Sequence, residues 1–142
     1  MNLIDVKSPA DLKGLSISEL TDLTAQARQA MMTKVSEQGG HCGPPMGAAE
    51  MIMALHYVFN SPVDKIVYDV SHQSYVHKMV TGRALAFLDH NHYDDVTGYT
   101  DPTESEHDFF NIGHTSTSIS LASGLATARN LKGDSENIIA II

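Results

Sequence analysis

The chain has 142 residues, enough for one core of ordinary size, and its nine Lys and Arg against seventeen Asp and Glu give a formal charge of -8. That balance excludes nucleic acid as a partner, because a phosphate backbone is held by clustered positive charge. A single cysteine, Cys42, excludes an internal disulfide or a CxxC pair and fits a reducing cytoplasm; the N-terminus lacks a long apolar core, and no run approaches the roughly 18 uncharged apolar residues of a membrane span.

The first helical pattern starts near Leu15, where Ser16 and Glu19 have capping-box spacing and Leu20, Leu23, Ala27, Ala30 and Met31 recur at helical intervals. Gly39 and Gly40 stop it. The segment GGHCGPPMG cannot continue a helix but can start a new one at about Met46. MGAAEMIMALHYVFN is apolar on nearly every face, so this helix is expected to be buried in a core or against another subunit, with Pro62 ending it. KIVYDV then reads as a short buried strand, and HQSYVHKMVTG as a short helix with Gly82 at its end.

Residues 83–112 read as a long polar surface loop, with seven acidic residues between Asp89 and Asp108 and little periodicity after Leu88; within it, His90 to Asp108 is expected to be mobile or to act as a lid. GHTSTSIS begins a helix of small residues (Ala122, Ser123, Gly124, Ala126, Ala128) ended by Gly133, and NIIAII is an apolar run of the kind covered on both faces of a parallel sheet. The order of elements predicts an α/β layer. Because ligands bind beyond the C-terminal ends of parallel strands, and a core strand is a poor place for a domain to stop, the chain is expected to be an incomplete piece of a longer protein.

Three glycine and histidine segments could do chemistry. His72, Gln73, His77 and Lys78 follow the predicted strand at the ligand-binding end of a sheet; on spacing alone they serve equally as a solvated helix start. His72 and His77 do not make a zinc pair, since five residues turn a helix about 140° beyond a full turn. Gly113, His114, Thr115 and the following hydroxyls suit a phosphate oxygen at a helix start, or simply cap that helix. Gly39 and Gly40 would let His41 project toward a ligand, or leave it exposed and structural. Cys42 reads as a small buried or inert thiol rather than a nucleophile. His90, His92, Asp94 and Asp95 form a possible metal cluster, although acidic loops are mostly solvated. Neither GxGxxG nor GxxxxGK[ST] occurs, which removes the common dinucleotide and P-loop readings.

In combination, GGH, ALHYVFN, DVSHQSYVHKMVTGR and ESEHDFFNIGHTSTSIS come into register with one family. From about Leu20 to Ile142 the chain resembles the N-terminal part of the 1-deoxy-D-xylulose-5-phosphate synthases, thiamine diphosphate enzymes of the transketolase superfamily. The resemblance implies a parallel-sheet thiamine diphosphate-binding fold of transketolase type, incomplete in this chain, with residues 1–142 as its N-terminal part. It implies a homodimeric enzyme that condenses pyruvate with glyceraldehyde 3-phosphate and releases carbon dioxide in the isoprenoid precursor pathway. His72, Gly113, His114 and Thr115 match positions that line the cofactor, and His41 matches a histidine near the reacting carbon; Lys78 and Arg83 support the fold or its charge balance. The magnesium ligands and the cofactor-activating glutamate are expected beyond Ile142, so the chain alone should lack the metal site and catalysis. Two departures stand out: Ser71 replaces a glycine usual in the family, where its Cβ should tighten the approach to the cofactor, and HCGPPMG is closer to the HPGxPMG of transketolases. A transketolase-type ketol transferase subunit and a truncated, non-catalytic interaction module are the alternative readings.

Overall fold

A computed structural model describes residues 1–113 and 116–142. Helix α1 (Ile17–Gln38) begins where its capping box places it: the Glu19 amide donates to Ser16 Oγ at 3.3 Å, and the Ser16 amide to Glu19 Oε2 at 2.7 Å. Leu20, Leu23, Ala27, Ala30 and Met31 form its buried face, and Gly39 ends it at φ 80°. Two short 3₁₀ turns ahead of it, Leu3–Asp5 and Pro9–Leu12, bury Leu3, Val6 and Leu12 in the same core.

The second apolar segment is buried on one face within this chain. It forms a short α2 (Gly43–Gly47) and then α3 (Ala49–Val58), which buries Ala49, Ile52, Met53 and His56 but leaves Met51 45% and Val58 64% exposed. One face therefore packs on α1 and the core, and the other is open in the single chain, the face that burial against another subunit would cover.

Strand β1 (Lys65–Tyr68) pairs in parallel with β2 (Ile138–Ile141), in the register Ile66 to Ile139 and Tyr68 to Ile141. Alternation sorts the side chains by face. Ile66, Tyr68, Ile139 and Ile141 join the large core with α1 and α3, whereas Val67, Ile138 and Ala140 pack against α6 (Ser118–Lys132) through Ala122, Leu121 and Leu125. Helices thus lie on both faces of a two-stranded parallel sheet, the α/β arrangement expected. The cover on β2 is thinner than expected for NIIAII: Ile138, Ile139 and Ala140 are half-buried, and Ile142 is 79% exposed.

After β1 the chain makes a 3₁₀ turn (Ser71–Ser74), then α4 (Tyr75–Lys78) and a wide turn through Met79–Arg83. Gly82 sits at φ 94°, and a Cβ there would lie 2.7 Å from the Lys7 carbonyl oxygen, so only glycine fits. The helical dihedrals break at Thr81 and Gly82, as expected of a helix ending there, and a new helix, α5 (Leu85–Leu88), starts just beyond.

The segment expected to be a free surface loop is bound to the fold. Its first part is a 3₁₀ stretch, His90–Asp95, over which Lys34 Nζ donates to the Ala86 and Tyr93 carbonyls at 2.8 and 2.7 Å. Its later part supplies the partners of one buried and one partly buried cation. Lys78, fully buried, meets Glu104 at 2.5 Å; Arg83 reaches Glu104 at 3.0 Å and grips both oxygens of buried Asp108 at 2.8 Å. Lys78 and Arg83 therefore balance charge within the fold, and two acidic residues of the segment, Glu104 and Asp108, are their counter-ions.

Asp108 also anchors a chain of neutral histidines. Its carboxylate accepts from His77 Nε2 at 2.7 Å, so the bare Nδ1 of His77 accepts from His56 Nε2 at 2.8 Å, and His56 Nδ1 is left without a partner. Burial drives His77 from its ordinary value near 6.5 down to about 4 against the pull of Asp108, and burial beside His77 lowers His56 as well. For Asp108 burial acts upward, but the hydrogen bonds from His77 and Arg83 prevail and hold it well below the usual carboxylate range. Between pH 6.5 and 4 the unfolded chain binds the proton that native His77 refuses. Stability is therefore complete above about pH 6.5 and falls as pH drops through that window, by about 3 kcal/mol for His77. Unfolding measured at several pH values should show this loss, and His77→Gln should flatten it; an unchanged acid limb in the variant would contradict the assignment.

Candidate functional site

The end of β1 turns sharply toward the candidate site. Val70 sits at φ 40° and ψ 66°, a left-handed conformation rare for a β-branched residue. This turn separates three consecutive jobs. Asp69, before it, accepts from the Ser116 and Thr117 amides at 2.7 and 3.3 Å and so holds the start of α6 to the end of β1. Ser71, after it, is buried and hydrogen-bonded, and His72 points to the segment that follows α1.

The rings of His72 and His41 stack with centroids 4.1 Å apart and planes 25° apart. Gly40, at φ 128°, swings His41 away from α1, and the His41 amide donates to Tyr75 Oη at 3.4 Å. Tyr99 lies edge-on to His41 at 6.2 Å. Removal from water, with His41 adjacent, lowers the pKa of His72, favouring a neutral imidazole whose Nδ1 is buried and unpartnered. His41 is exposed on the outer side of the stack. Two histidines that spacing could only suggest separately thus meet in space.

Gly113 lies in an open cleft with Asn111, Ile112, Ser116, Thr117 and Leu121, and none of the described residues comes within 4 Å of the position a Cβ would take. His114 and Thr115 lie outside the described residues. The expectation that a helix start here leaves free amides is modified, since Asp69 takes those of Ser116 and Thr117. His77 points away from His72 into the Asp108 network. Cys42 is exposed rather than buried, 3.9 Å from Met32 Sδ. His90 pairs with Glu37 and His92 with Asp95, and among the described residues no three His, Cys, Asp or Glu side chains gather as a metal cluster. Asp69, Tyr75 and Tyr99 were missed in the sequence; only the i, i+3 spacing of Tyr75 from His72 could have flagged one of them.

A parallel strand that ends in a histidine-bearing turn, with helices on both faces of its sheet, defines an α/β layer. The chain belongs to the 1-deoxy-D-xylulose-5-phosphate synthase family and is an N-terminal segment of it: residues 3–142 match that family's N-terminal model. It is 52% identical over 140 residues to the 1-deoxy-D-xylulose-5-phosphate synthase of Caldanaerobacter subterraneus subsp. tengcongensis, covering 99% of this chain and 22% of the relative. It is 49% identical to that of Shouchella clausii over the whole chain and 23% of the relative, and 48% identical to that of Chlorobaculum tepidum over 99% of the chain and 22% of the relative. The chain thus spans about 22% of the length of these relatives. No helix among the described residues is long and apolar enough to cross a membrane.

Proposed function

We propose that residues 1–142 are the N-terminal part of a thiamine diphosphate-binding domain of transketolase type, in a cytoplasmic, homodimeric enzyme that joins pyruvate to glyceraldehyde 3-phosphate with loss of carbon dioxide, for isoprenoid precursors. The observation that carries this reading is the His41–His72 stack, with the His72 Nδ1 buried and unpartnered. The residues suit the cofactor. A neutral imidazole with an unused nitrogen can bond a polar group of the ligand, and Gly113, with none of the described residues where a Cβ would stand, lets a phosphate approach its backbone.

When bound, thiamine diphosphate supplies a nucleophilic carbon and an electron sink for decarboxylating a 2-keto acid and passing the two-carbon unit to an aldehyde. His72, Gly113, His114 and Thr115 would hold it. His41, exposed on the outer face of the stack, would move a proton at the reacting substrate. Tyr75 restrains the His41 backbone and Tyr99 its ring, limiting the positions from which that proton is delivered. Magnesium would be held by residues outside this chain.

The test is carbon dioxide release from pyruvate by the full-length protein. Release that requires glyceraldehyde 3-phosphate, thiamine diphosphate and magnesium together is the expected result. Turnover of a ketose donor in place of pyruvate would instead assign a transketolase-type reaction, and failure to bind the cofactor would leave an interaction module.

A further inference from the structure

One buried hydroxyl is bonded to the backbone beside three parts of the candidate site. Ser71 has no exposed surface; its Oγ donates to the Ile112 carbonyl at 2.7 Å and accepts from the Thr100 amide at 3.0 Å, while its own amide also reaches the Ile112 carbonyl at 3.3 Å. Ser71 precedes His72, Ile112 precedes Gly113, and Thr100 follows Tyr99, whose ring edges His41. The side chain points into the fold rather than narrowing the space at His72, contrary to the expectation that its Cβ would crowd the cofactor. A second bond from the same segment, Thr100 Oγ1 to the Phe110 carbonyl at 2.7 Å, keeps residue 100 alongside 110–112 without touching the His72 turn. Among the described residues, the Ser71 hydroxyl is the group bonded to both the Ile112 and the Thr100 backbone.

We infer that Ser71 is a positioning residue for the cofactor site: its hydroxyl sets the spacing between the His72 turn, Gly113 and Tyr99. This rests on the function proposed above. Removing the hydroxyl affects the partners unequally. The Ile112 carbonyl keeps the Ser71 amide, whereas the Thr100 amide, in a residue 4% exposed, loses its acceptor. The disturbance therefore falls on residue 100 and, through the bond from Thr100 Oγ1 to the Phe110 carbonyl, on the segment that leads to Gly113.

In the full-length protein, Ser71→Ala is expected to raise the thiamine diphosphate concentration for half-saturation roughly tenfold, with turnover at saturating cofactor held within about threefold. The Thr100 amide should exchange faster with solvent. A purely structural role would lower the active fraction, and so turnover, without moving half-saturation; that outcome overturns the inference. If Ser71→Ala does not fold, the unaltered protein still decides the matter, because coupling is reciprocal: saturation with thiamine diphosphate should slow exchange at the Thr100 amide, and no change there refutes the coupling. A parent protein that binds no thiamine diphosphate overturns the proposed function along with this inference. A parent that binds while the variant binds equally well overturns this inference alone.

Discussion

Asp108→Ala is expected to destabilise the domain by about 3–5 kcal/mol, the usual cost of stripping one partner from a buried ion pair. The side chain of Asp108 is wholly buried and accepts from His77, from two nitrogens of Arg83 and from the Asp101 amide at 2.8 Å. Without it Arg83 keeps the neutral Thr81 Oγ1 and, as a charged partner among the described residues, Glu104, which already serves Lys78, so one carboxylate is left to balance a buried and a partly buried cation. Native-state hydrogen exchange of the β1 and α4 amides would read the loss within the domain itself. The pair Arg83→Met with Asp108→Leu should recover more than half of it, since neither charge is then left alone in the interior. A loss below about 1 kcal/mol for Asp108→Ala would show that this network does not hold the 101–108 segment to α4.

The second large effect concerns turnover. His41→Ala in the full-length enzyme is expected to lower kcat by about 10²- to 10⁴-fold, the range usual for a positioned acid or base, while leaving cofactor affinity nearly intact. Its ring is exposed and belongs to no core, so folding should be unaffected. His72→Ala should behave oppositely. A lost hydrogen bond to a charged group weakens binding roughly tenfold to a hundredfold, and saturating cofactor should restore much of the rate. Interchanged phenotypes would reverse the two roles, and wild-type kinetics in His41→Ala would remove that residue from proton transfer.

Local patterns in the chain announced local structure. The Ser16–Glu19 box and the spacing of Leu20, Leu23, Ala27 and Met31 placed α1, and the apolar runs placed both strands, because capping and periodicity act over a few residues. What was not legible depends on long-range pairing. Glu104 and Asp108 look solvated in sequence, yet they neutralise Lys78 and Arg83 more than twenty residues earlier. Asp69 caps a helix 47 residues away, and Ser71 bridges to Thr100 and Ile112, contacts that no spacing rule contains. The histidines His41 and His72 were visible as candidates. Their stacking was not, because it arises from the turns at Gly40 and Val70 acting together.

The central claim is that His72 faces thiamine diphosphate, and titration of the full-length protein and its His72→Ala variant with that cofactor tests it most directly. The account predicts saturable binding by the parent and an affinity roughly tenfold to a hundredfold weaker in the variant, with both proteins unfolding at the same denaturant concentration. Equal affinities in two equally folded proteins would contradict it.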